Sequence, residues 1–496
     1  MNLYSFFIKS INKSNEISFD NKSYSYQEFF NLIEKVSSFI SKVKKKKILI
    51  LSENQLYIGI LFFVCAKHGK VLIPLNDSLS KNQIIDNIKI TKPDLIIHTR
   101  NSKPFFSLKR IPSIAIEDLL EKNVFNDIEK KKLSSTKNFI KKDFIITYSS
   151  GTTSQPKPIL FTQNIKLLRY KHIRKLYRVR PSDNILSTSP LDHSMGQRLF
   201  FLATLMGANY YYVSGFNSKK ICDLVKKKKI SFTILPSNYI NLLKTKLINR
   251  KIRINKIVSA ASGISLFDKN LLKKNKINFN EMYGASEIGT VTSLSNQDSL
   301  KKTASVGKVL KDSKIIIVNK KSKKVENFTI GEIACKTKLS FKKYFNNMVL
   351  TNKSKKNGYF LTGDLGYLDN QNYLYFVSRK KELIISSGIN IYPSDIEKVI
   401  NSHSNIKDCA VIGLNDKFFG EATFAVCVIN KKKLSFESQL RDFLSKRLAT
   451  YQLPLGYDFI DSIPKNYMGK ILKKDLKKKY EKKKLDLSNN IRRFLN

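Results

Sequence analysis

Short apolar runs alternate along the chain with longer segments of helical periodicity. The runs KKILIL (46–51), KVLIPL (70–75) and DLIIHT (94–99) predict buried strands, because continuous apolar runs of this length are typical of strands covered on both faces. Between them, residues 55–68 and 81–90 have the length and spacing of helices. Alternation of strand and helix predicts an α/β fold in which helices cover parallel sheets.

The same alternation continues and then changes at two points. Further buried strands are predicted at 184–188, 210–213, 232–235 and 256–259. From Val306 the pattern is β-rich, and after Val377 an α+β pattern begins. We therefore expect a large N-terminal domain with a β-rich subdomain (1–378) and a small mobile α+β C-terminal domain (379–496). The C-terminal elements are predicted as a helix at 393–402, strands at 409–414 and 423–429, a helix at 436–448, and an exposed helix with a frayed tail at 473–496.

The net charge is unusual, since 90 Lys and Arg against 39 Asp and Glu give +51. Most of the basic residues are lysines in short clusters spread over the chain, Asn and Ile are abundant, and Trp is absent. This pattern is typical of an AT-rich coding bias, whereas nucleic-acid surfaces more often combine arginine with interleaved aromatics. We predict solvated lysine faces and no nucleic-acid partner.

Cysteine usage and the N-terminus bear on the compartment. The five cysteines have no CxxC spacing, which is typical of buried apolar side chains in a reducing compartment. The N-terminal MNLYSFFIKSINKSNE contains no small-residue cleavage site. No apolar run approaches the ~20 residues of a membrane span. We expect a cytoplasmic protein without a transmembrane segment.

The loop SSGTTSQPKP (149–158) is the first candidate for chemistry. Its backbone N–H groups, hydroxyls and lysine are able to wrap phosphate oxygens. It follows an apolar run and precedes a helix predicted to begin near Thr162. It lacks the Gly-Lys-Ser/Thr ending of a Walker A loop, and no G-x-G-x-x-G occurs in the chain. From the residues alone, a phosphate cradle and an ordinary Ser/Gly loop are equally favoured.

This loop resembles the phosphate loop of the adenylate-forming superfamily, which comprises acyl- and aryl-CoA synthetases, peptide-synthetase adenylation domains and luciferases. Further segments resemble that family's motifs in the family's order, and the match is nearest to the acyl-CoA synthetase branch. These segments are PLDHSMG (190–196), ASGIS (261–265), MYGASEIG (282–289), LTGDLGYLD (361–369), SRKKELIISSGINIYPSDIE (378–397) and IPKNYMGKILKKDL (463–476).

The resemblance implies a two-step ligase. A carboxylic acid would attack the α-phosphorus of ATP in the presence of Mg²⁺, giving an acyl-adenylate and pyrophosphate, and the thiol of CoA would then displace AMP. The phosphates would be held by Ser149, Ser150, Gly151, Thr152, Thr153 and Lys157. The rest of the nucleotide would be held by Ser262, Gly263, Tyr283, Gly284, Ser286, Asp364 and Arg379. Tyr283 would stack on adenine, Asp364 would accept the ribose hydroxyls, and Glu287 would coordinate the metal.

The C-terminal domain would supply the catalytic lysine and the thiol tunnel. Lys470 would bridge the attacking carboxylate and the α-phosphate. Lys381 would be the hinge, and Gly388 would leave room for a pantetheine arm.

Three positions depart from the family pattern. Ser154 and Pro158 replace glycines of the phosphate loop, and Ile385 replaces a lysine that some relatives carry. Altered loop mobility is expected from the first two, and the third leaves details of the thioester step open.

His193 would border the acid pocket, whose wall would also contain Gln197 and Arg198; Asp192 is one place too early to anchor an amine. An arginine there would be able to meet a second carboxylate, or would lie outside the pocket. Structural roles remain alternatives: a mobile polar loop, a buried Tyr283, a turn at Asp364, a surface Arg379 and a core His193.

Two other functions remain open. One is a stand-alone adenylating enzyme that loads an acyl or aminoacyl group onto the phosphopantetheine of an acidic carrier protein. The other is a non-catalytic relative that binds nucleic acid or an anionic membrane. The sequence does not identify the acid or the oligomeric state, and nothing in the motifs favours a luciferase.

Overall fold

The computed structural model describes residues 2–11, 14–102, 111–121, 139–148, 157–215, 217–260, 264, 266–417, 419–430, 436–465 and 471–482. The helices are α1 (Leu3–Lys9), α2 (Tyr26–Lys42), α3 (Gln55–His68), α4 (Lys81–Thr91), α5 (Ile116–Glu121), α6 (Gln163–Tyr177), α7 (Ser194–Thr204), α8 (Ser218–Lys227), α9 (Ser237–Ile248), α10 (Leu266–Lys274), α11 (Asp298–Lys301), α12 (Met348–Ser354), α13 (Pro393–Ile400), α14 (Phe436–Ser445) and α15 (Lys473–Lys482).

The strands fall into four sheets. The first thirteen are β1 (Glu16–Phe19), β2 (Lys22–Ser25), β3 (Lys47–Leu51), β4 (Val71–Leu75), β5 (Leu95–His98), β6 (Ser113–Ala115), β7 (Asp143–Tyr148), β8 (Pro158–Thr162), β9 (Asn184–Ser187), β10 (Asn209–Tyr212), β11 (Phe232–Pro236), β12 (Lys256–Ala260) and β13 (Phe279–Ala285). The others are β14 (Gly289–Leu294), β15 (Lys308–Val309), β16 (Ser313–Val318), β17 (Gly331–Thr337), β18 (Lys343–Tyr344), β19 (Lys355–Lys356), β20 (Tyr359–Leu368), β21 (Leu374–Arg379), β22 (Ile384–Ser386), β23 (Ile389–Ile391), β24 (Ile406–Asp416), β25 (Gly420–Ile429) and β26 (Gly456–Phe459).

Two large sheets with parallel centres form the N-terminal part. Within the described residues, one has the order β15-β14-β13-β12-β11-β9-β10-β1-β2 and the other β18-β8-β7-β4-β3-β5-β6. Strands β10, β9, β11, β12 and β13 run parallel, as do β6, β5, β3, β4 and β7. The largest apolar cluster includes residues of both sheets together with α3 and α7. α3 is buried on nearly every side, which explains why its sequence is apolar all round.

Two smaller sheets complete the chain. The antiparallel sheet β16-β17-β20-β19, with β21 beside β20, forms the β-rich part. The sheet β23-β22-β25-β24, with β26 beside β25, is packed by α13, α14 and α15. The predicted α/β fold, with a β-rich region and a following α+β region, is confirmed.

Two local expectations were incomplete. Strand β8 lies between the phosphate loop and α6, so the loop joins two antiparallel strands, and α6 follows with Thr162 as its N-cap. The C-terminal helix α15 is not simply exposed, because Leu476 and Tyr480 are buried against the sheet. The rest of the predicted tail, 483–496, lies outside the described residues.

All five cysteines are buried and none forms a disulfide. Among the helices the structure describes, none has the length and hydropathy needed to cross a bilayer.

Candidate active site

Lys157 lies at the exit of the phosphate loop, beside the predicted metal ligand. Its Nζ lies 5.7 Å from the centre of the Tyr344 ring, and the Tyr344 hydroxyl donates to Glu287 Oε1 at 2.9 Å. Pro158 opens β8, where a missing N–H is tolerated, and its carbonyl accepts from the Phe345 N–H at 2.8 Å. The described end of the loop is therefore joined through one tyrosine to Glu287. Residues Ser149, Ser150, Gly151, Thr152, Thr153 and Ser154 lie outside the described residues.

Arg169 of α6 fixes the turn that carries Ser286 and Glu287. Its Nη2 donates to the carbonyls of Ser286 and Glu287 at 2.9 and 3.0 Å, and its Nε donates to the Leu339 carbonyl at 3.0 Å. Glu287 itself is buried. Arg169 was missed by the sequence analysis, since nothing in its sequence neighbourhood distinguishes it from the many basic residues around it.

Tyr283, Asp364 and Arg379 come together although β13 and β20 are far apart in sequence. The Tyr283 hydroxyl donates to Asp364 Oδ2 at 2.7 Å, and Arg379 Nε lies 3.5 Å from Asp364 Oδ1. Antiparallel pairing of β20 with β21 places Asp364 opposite Arg379. Burial, together with the Asp364 carboxylate, raises the pKa of Tyr283 well above its ordinary value, so the hydroxyl remains a donor.

The close approach of two strands explains why a glycine stands at position 284. A Cβ at this position would lie 1.9 Å from the Gly289 carbonyl oxygen, because β13 and β14 approach closely at a register shift. The glycine is therefore required by the strand pairing, independently of the predicted approach to a nucleotide.

His193 and Asp192 stand at the start of α7. The His193 Nε2 lies 3.4 Å from Asp192 Oδ2, and both side chains are largely buried. Burial raises the pKa of Asp192, and His193 opposes that shift. His193 is the N-cap residue of α7, so its backbone position is fixed by the helix start.

Gln197 and Arg198 follow on α7 in different surroundings. The Gln197 amide is held by Lys166 Nζ at 2.5 Å, by Thr147 and by the Leu191 carbonyl, all in the interior. Its amide therefore serves internal packing. The Arg198 guanidinium meets Met282 Sδ at 3.0 Å. Arg198 is partly exposed, although its helix neighbours Gln197 and Leu199 are buried.

The predicted hinge residue precedes β22, and the predicted thiol-tunnel glycine lies between β22 and the edge strand β23 of the C-terminal sheet. Lys381 is part of a 3₁₀ turn (Lys380–Glu382), and burial followed by the Arg379 charge lowers its pKa. Gly388 has φ +82° in the two-residue turn between β22 and β23, and the preceding Ser387 also has positive φ. This is the pattern of a type I′ hairpin, which favours glycine. Ile385 on the same hairpin is half exposed.

The segments flanking the predicted catalytic lysine are anchored, while Lys470 itself and 466–469 lie outside the described residues. Lys465 and Ile471 form an antiparallel bridge, and the Leu472 N–H donates to the Pro464 carbonyl at 2.9 Å. Just beyond, Lys473 Nζ lies 2.6 Å from Glu397 Oε1 and 3.6 Å from Glu382 Oε2. The base of the Lys470 loop is therefore fixed to α13 and to the 3₁₀ turn Lys380–Glu382.

A magnesium ion fits the donors present at this site. No three His, Cys, Asp or Glu side chains gather as a metal site among the described residues. Mg²⁺, however, is usually held by one or two carboxylates together with substrate phosphates. Glu287, placed by Tyr344 and Arg169, supplies one such carboxylate near Lys157, at the described end of the phosphate loop. Ser262 and Gly263 of the predicted adenine pocket lie outside the described residues.

Known proteins resemble this chain over most of its length. The model of the AMP-binding enzyme family matches residues 10–345, and that of the AMP-binding enzyme C-terminal domain matches 395–470. A long-chain-fatty-acid–CoA ligase of Mycobacterium tuberculosis is 26% identical over 88% of each chain. A 2-succinylbenzoate–CoA ligase of Listeria innocua is 25% identical over 93% of this chain and 96% of its own.

The same fold occurs in the o-succinylbenzoate CoA synthetase of Bacillus subtilis. Its complex with the acyl-adenylate intermediate aligns with a TM-score of 0.85 at 23% identity, covering 96% of this chain and 98% of that one. Its complex with ATP and magnesium ion aligns with a TM-score of 0.84 at 23% identity, covering 96% and 99%. Since the family model spans most of the chain, this protein belongs to the AMP-binding enzyme family and has the fold of adenylate-forming enzymes.

Proposed function

We propose that the chain is an ATP-dependent acid–thiol ligase that converts a carboxylic acid to an acyl-adenylate and transfers the acyl group to CoA. Membership of the AMP-binding enzyme family supports it, as do the relatives that are named CoA ligases. The observation that carries it is the cluster of Tyr283, Asp364 and Arg379, with Asp364 held at 2.7 Å by the tyrosine. This cluster presents an oriented carboxylate beside an aromatic ring, as a nucleoside requires.

The first half-reaction joins two anions and needs concentrated positive charge. A substrate carboxylate oxygen attacks the α-phosphorus, the bond to the β-phosphate oxygen breaks, and pyrophosphate leaves. Lys157 and the 149–153 loop hold the outgoing phosphates, while Lys470 neutralises charge between the carboxylate and the α-phosphate. Glu287 would hold Mg²⁺, whose charge would further neutralise the phosphates. His193 borders the acid, and Ser286 reaches the phosphate region.

In the second half-reaction the thiol attacks the acyl carbon and AMP leaves. We assign residues 1–378 to the nucleotide and acid pockets and 379–496 to the C-terminal domain, with Lys381 as hinge. The Gly388 hairpin would then face the pantetheine arm in the second step. Its exposure and its half-exposed Ile385 agree with a surface that contacts the larger domain only part of the time.

Carrier-protein phosphopantetheine is the second candidate acceptor, because the net charge of +51 would complement an acidic carrier protein. CoA and holo-carrier protein both present the thiol of a phosphopantetheine arm, so only an assay distinguishes the two acceptors. Acyl transfer to CoA is compared with transfer to holo-carrier protein at equal thiol concentration.

The test of the proposal is acid-dependent pyrophosphate release with ATP, Mg²⁺ and hydroxylamine across a panel of carboxylates. Lys470→Ala should abolish release while ATP binding largely persists. Lys478→Ala, an exposed lysine on α15, is the matched control and should behave as wild type. Unchanged release in Lys470→Ala would contradict its assignment. Salt-sensitive binding to polyanions, with no release for any acid, would favour the non-catalytic relative.

A further inference from the structure

Three basic side chains cluster inside the large domain, between α6, α7 and β13. Lys166 and Arg169 lie one turn apart on α6 and are 3% and 6% exposed. Arg198 projects from α7 and is partly exposed between the buried residues Gln197 and Leu199. Like charges gathered away from water repel each other, and the loss of hydration disfavours each of them.

The cluster has no compensating carboxylate within ion-pair distance among the described residues. Burial and the neighbouring cations lower the pKa of Lys166 and Arg169, and burial lowers that of Arg198. The negative charge of Glu287 opposes the lowering of the Arg169 pKa. Buried cations are ordinarily paired, so this region of the fold is suited to an anion.

The three basic side chains differ in the contacts that they already make within the protein. Lys166 has the Gln197 amide oxygen at 2.5 Å and the Phe161 ring at 3.8 Å. Arg169 has the Leu339, Ser286 and Glu287 carbonyls. Both are therefore explained by internal contacts.

Arg198 is not explained in this way. Within the part of the chain that the structure describes, its guanidinium donates to the Met282 thioether at 3.0 Å. A thioether is a weak acceptor, whereas a guanidinium has five N–H donors in a planar fork that matches a carboxylate. Most of the binding capacity of Arg198 therefore remains for a ligand.

The position of Arg198 relates it to the acid pocket. It lies five residues beyond His193, about 7.5 Å along the axis of α7 at ~1.5 Å per residue and about 140° around it at ~3.6 residues per turn. Its contact residue Met282 directly precedes Tyr283. The reacting carboxylate must meet ATP near Glu287 and the phosphate loop. An anion at Arg198 would therefore be a different group of the acid.

We propose that Arg198 determines specificity by binding a second carboxylate of the acid substrate, so that the preferred substrates are dicarboxylic acids. This inference rests on the proposed ligase function. The charged guanidinium of Arg169 adds to the positive potential around that carboxylate without contacting it.

The experiment compares matched acids in the pyrophosphate-release assay. Succinate, glutarate, adipate, suberate and phthalate are each measured against their monomethyl esters, which keep the shape and lose one charge. The wild type should favour a diacid over its monoester by roughly 10- to 100-fold in kcat/KM, as expected for one charge-assisted bidentate pair. Arg198→Met should remove this preference, and Arg198→Lys should retain part of it. The KM for ATP should be unchanged in both variants, which also reports correct folding.

Lys175→Met, an exposed basic residue at the end of α6, is the control and should keep the wild-type preference. Equal use of diacids and monoesters by the wild type, or an unchanged ratio in Arg198→Met, would overturn the inference and leave the ligase function standing. If no acid supports release, the ligase proposal fails, and calorimetry with the diacids decides the inference separately. Diacid binding that is lost in Arg198→Met would support it, and equal or absent binding would overturn it.

Discussion

Lys473→Met is expected to loosen the C-terminal domain, because it leaves Glu397 without its buried partner. The two charged atoms are 2.6 Å apart, and their side chains are 16% and 19% exposed. Burial raises the pKa of Glu397, and Lys473 opposes that rise. Burial alone would lower the pKa of Lys473, but Glu397 and Glu382 raise it above its ordinary value.

The size of the effect follows from the geometry. Charge centres about 4 Å apart attract by ~4 kcal/mol at an effective dielectric of ~20. Removal of one partner from a buried pair typically costs about 3–5 kcal/mol. Since some solvent reaches this pair, we expect about 3 kcal/mol, which is roughly a 100-fold change in an opening equilibrium.

Hydrogen exchange followed by mass spectrometry measures this change locally. The Val411 amide donates to Glu397 Oε1 at 2.8 Å, so the peptide that covers β24 is the reporter. Exchange should accelerate by roughly 100-fold relative to wild type at pH 8. A carboxyl group whose pKa is raised by folding makes the folded state less stable as the pH rises from the pKa of the unfolded state through that of the folded state. The acceleration should therefore be smaller at pH 6, where Glu397 is better able to protonate.

Two variants complete this test. Lys473→Met combined with Glu397→Gln should recover most of the protection, since no uncompensated charge remains. Lys478→Met, on the exposed face of α15, should leave exchange unchanged. Acceleration that is absent, or that is the same at both pH values, would refute the assignment of a buried ion pair.

Three further predictions concern the nucleotide site. Asp364→Asn should weaken ATP binding by roughly 10- to 100-fold, because an oriented charged acceptor is lost; calorimetry measures this, and wild-type affinity would exclude the ribose role. Tyr344→Phe should raise the Mg²⁺ concentration needed for half-maximal pyrophosphate release by roughly 10-fold, because Glu287 loses the hydroxyl that orients it; an unchanged Mg²⁺ titration would count against this. Gly284→Ala should lower the thermal midpoint, because its Cβ would lie 1.9 Å from the Gly289 oxygen; an unshifted midpoint would show that the strands separate freely.

Periodicity was sufficient to predict much of the fold. The helix expected at 55–68 has those bounds, since the apolar stretch 56–66 is too long for an ordinary strand and fits a buried helix. Strand β8 was missed because its short apolar run, PILFT, directly precedes the helical pattern of α6. The order of the strands within each sheet, and the pairing of Asp364 with Arg379, depend on which strands pair and in which register. A local sequence pattern does not contain that information.

Sequence motifs predicted the residues of the candidate site, but they did not predict the residues that hold those side chains in place. Tyr283, Asp364 and Arg379 stand in quoted motifs, and the structure brings them together. Arg169 reaches a turn 117 and 118 residues away, and such a contact has no sequence signal. Lys473 was treated as one of many solvated lysines, since the composition hides a buried lysine among exposed ones.

The anchored base of the Lys470 loop has a consequence for the timing of turnover. Lys381, Glu382 and Lys473 line a cavity of about 290 Å³ beside the 3₁₀ turn Lys380–Glu382, and Lys473 joins that turn to α13. On the proposed two-step reaction, Lys470 would be carried on a stem that is bridged at Lys465 and Ile471 and tied to α13, so rotation of the whole C-terminal domain would move that stem with it. The rate of turnover would then depend on how fast the whole domain rotates through solvent. Lys470 and the Gly388 hairpin would act on the adenylate at different times.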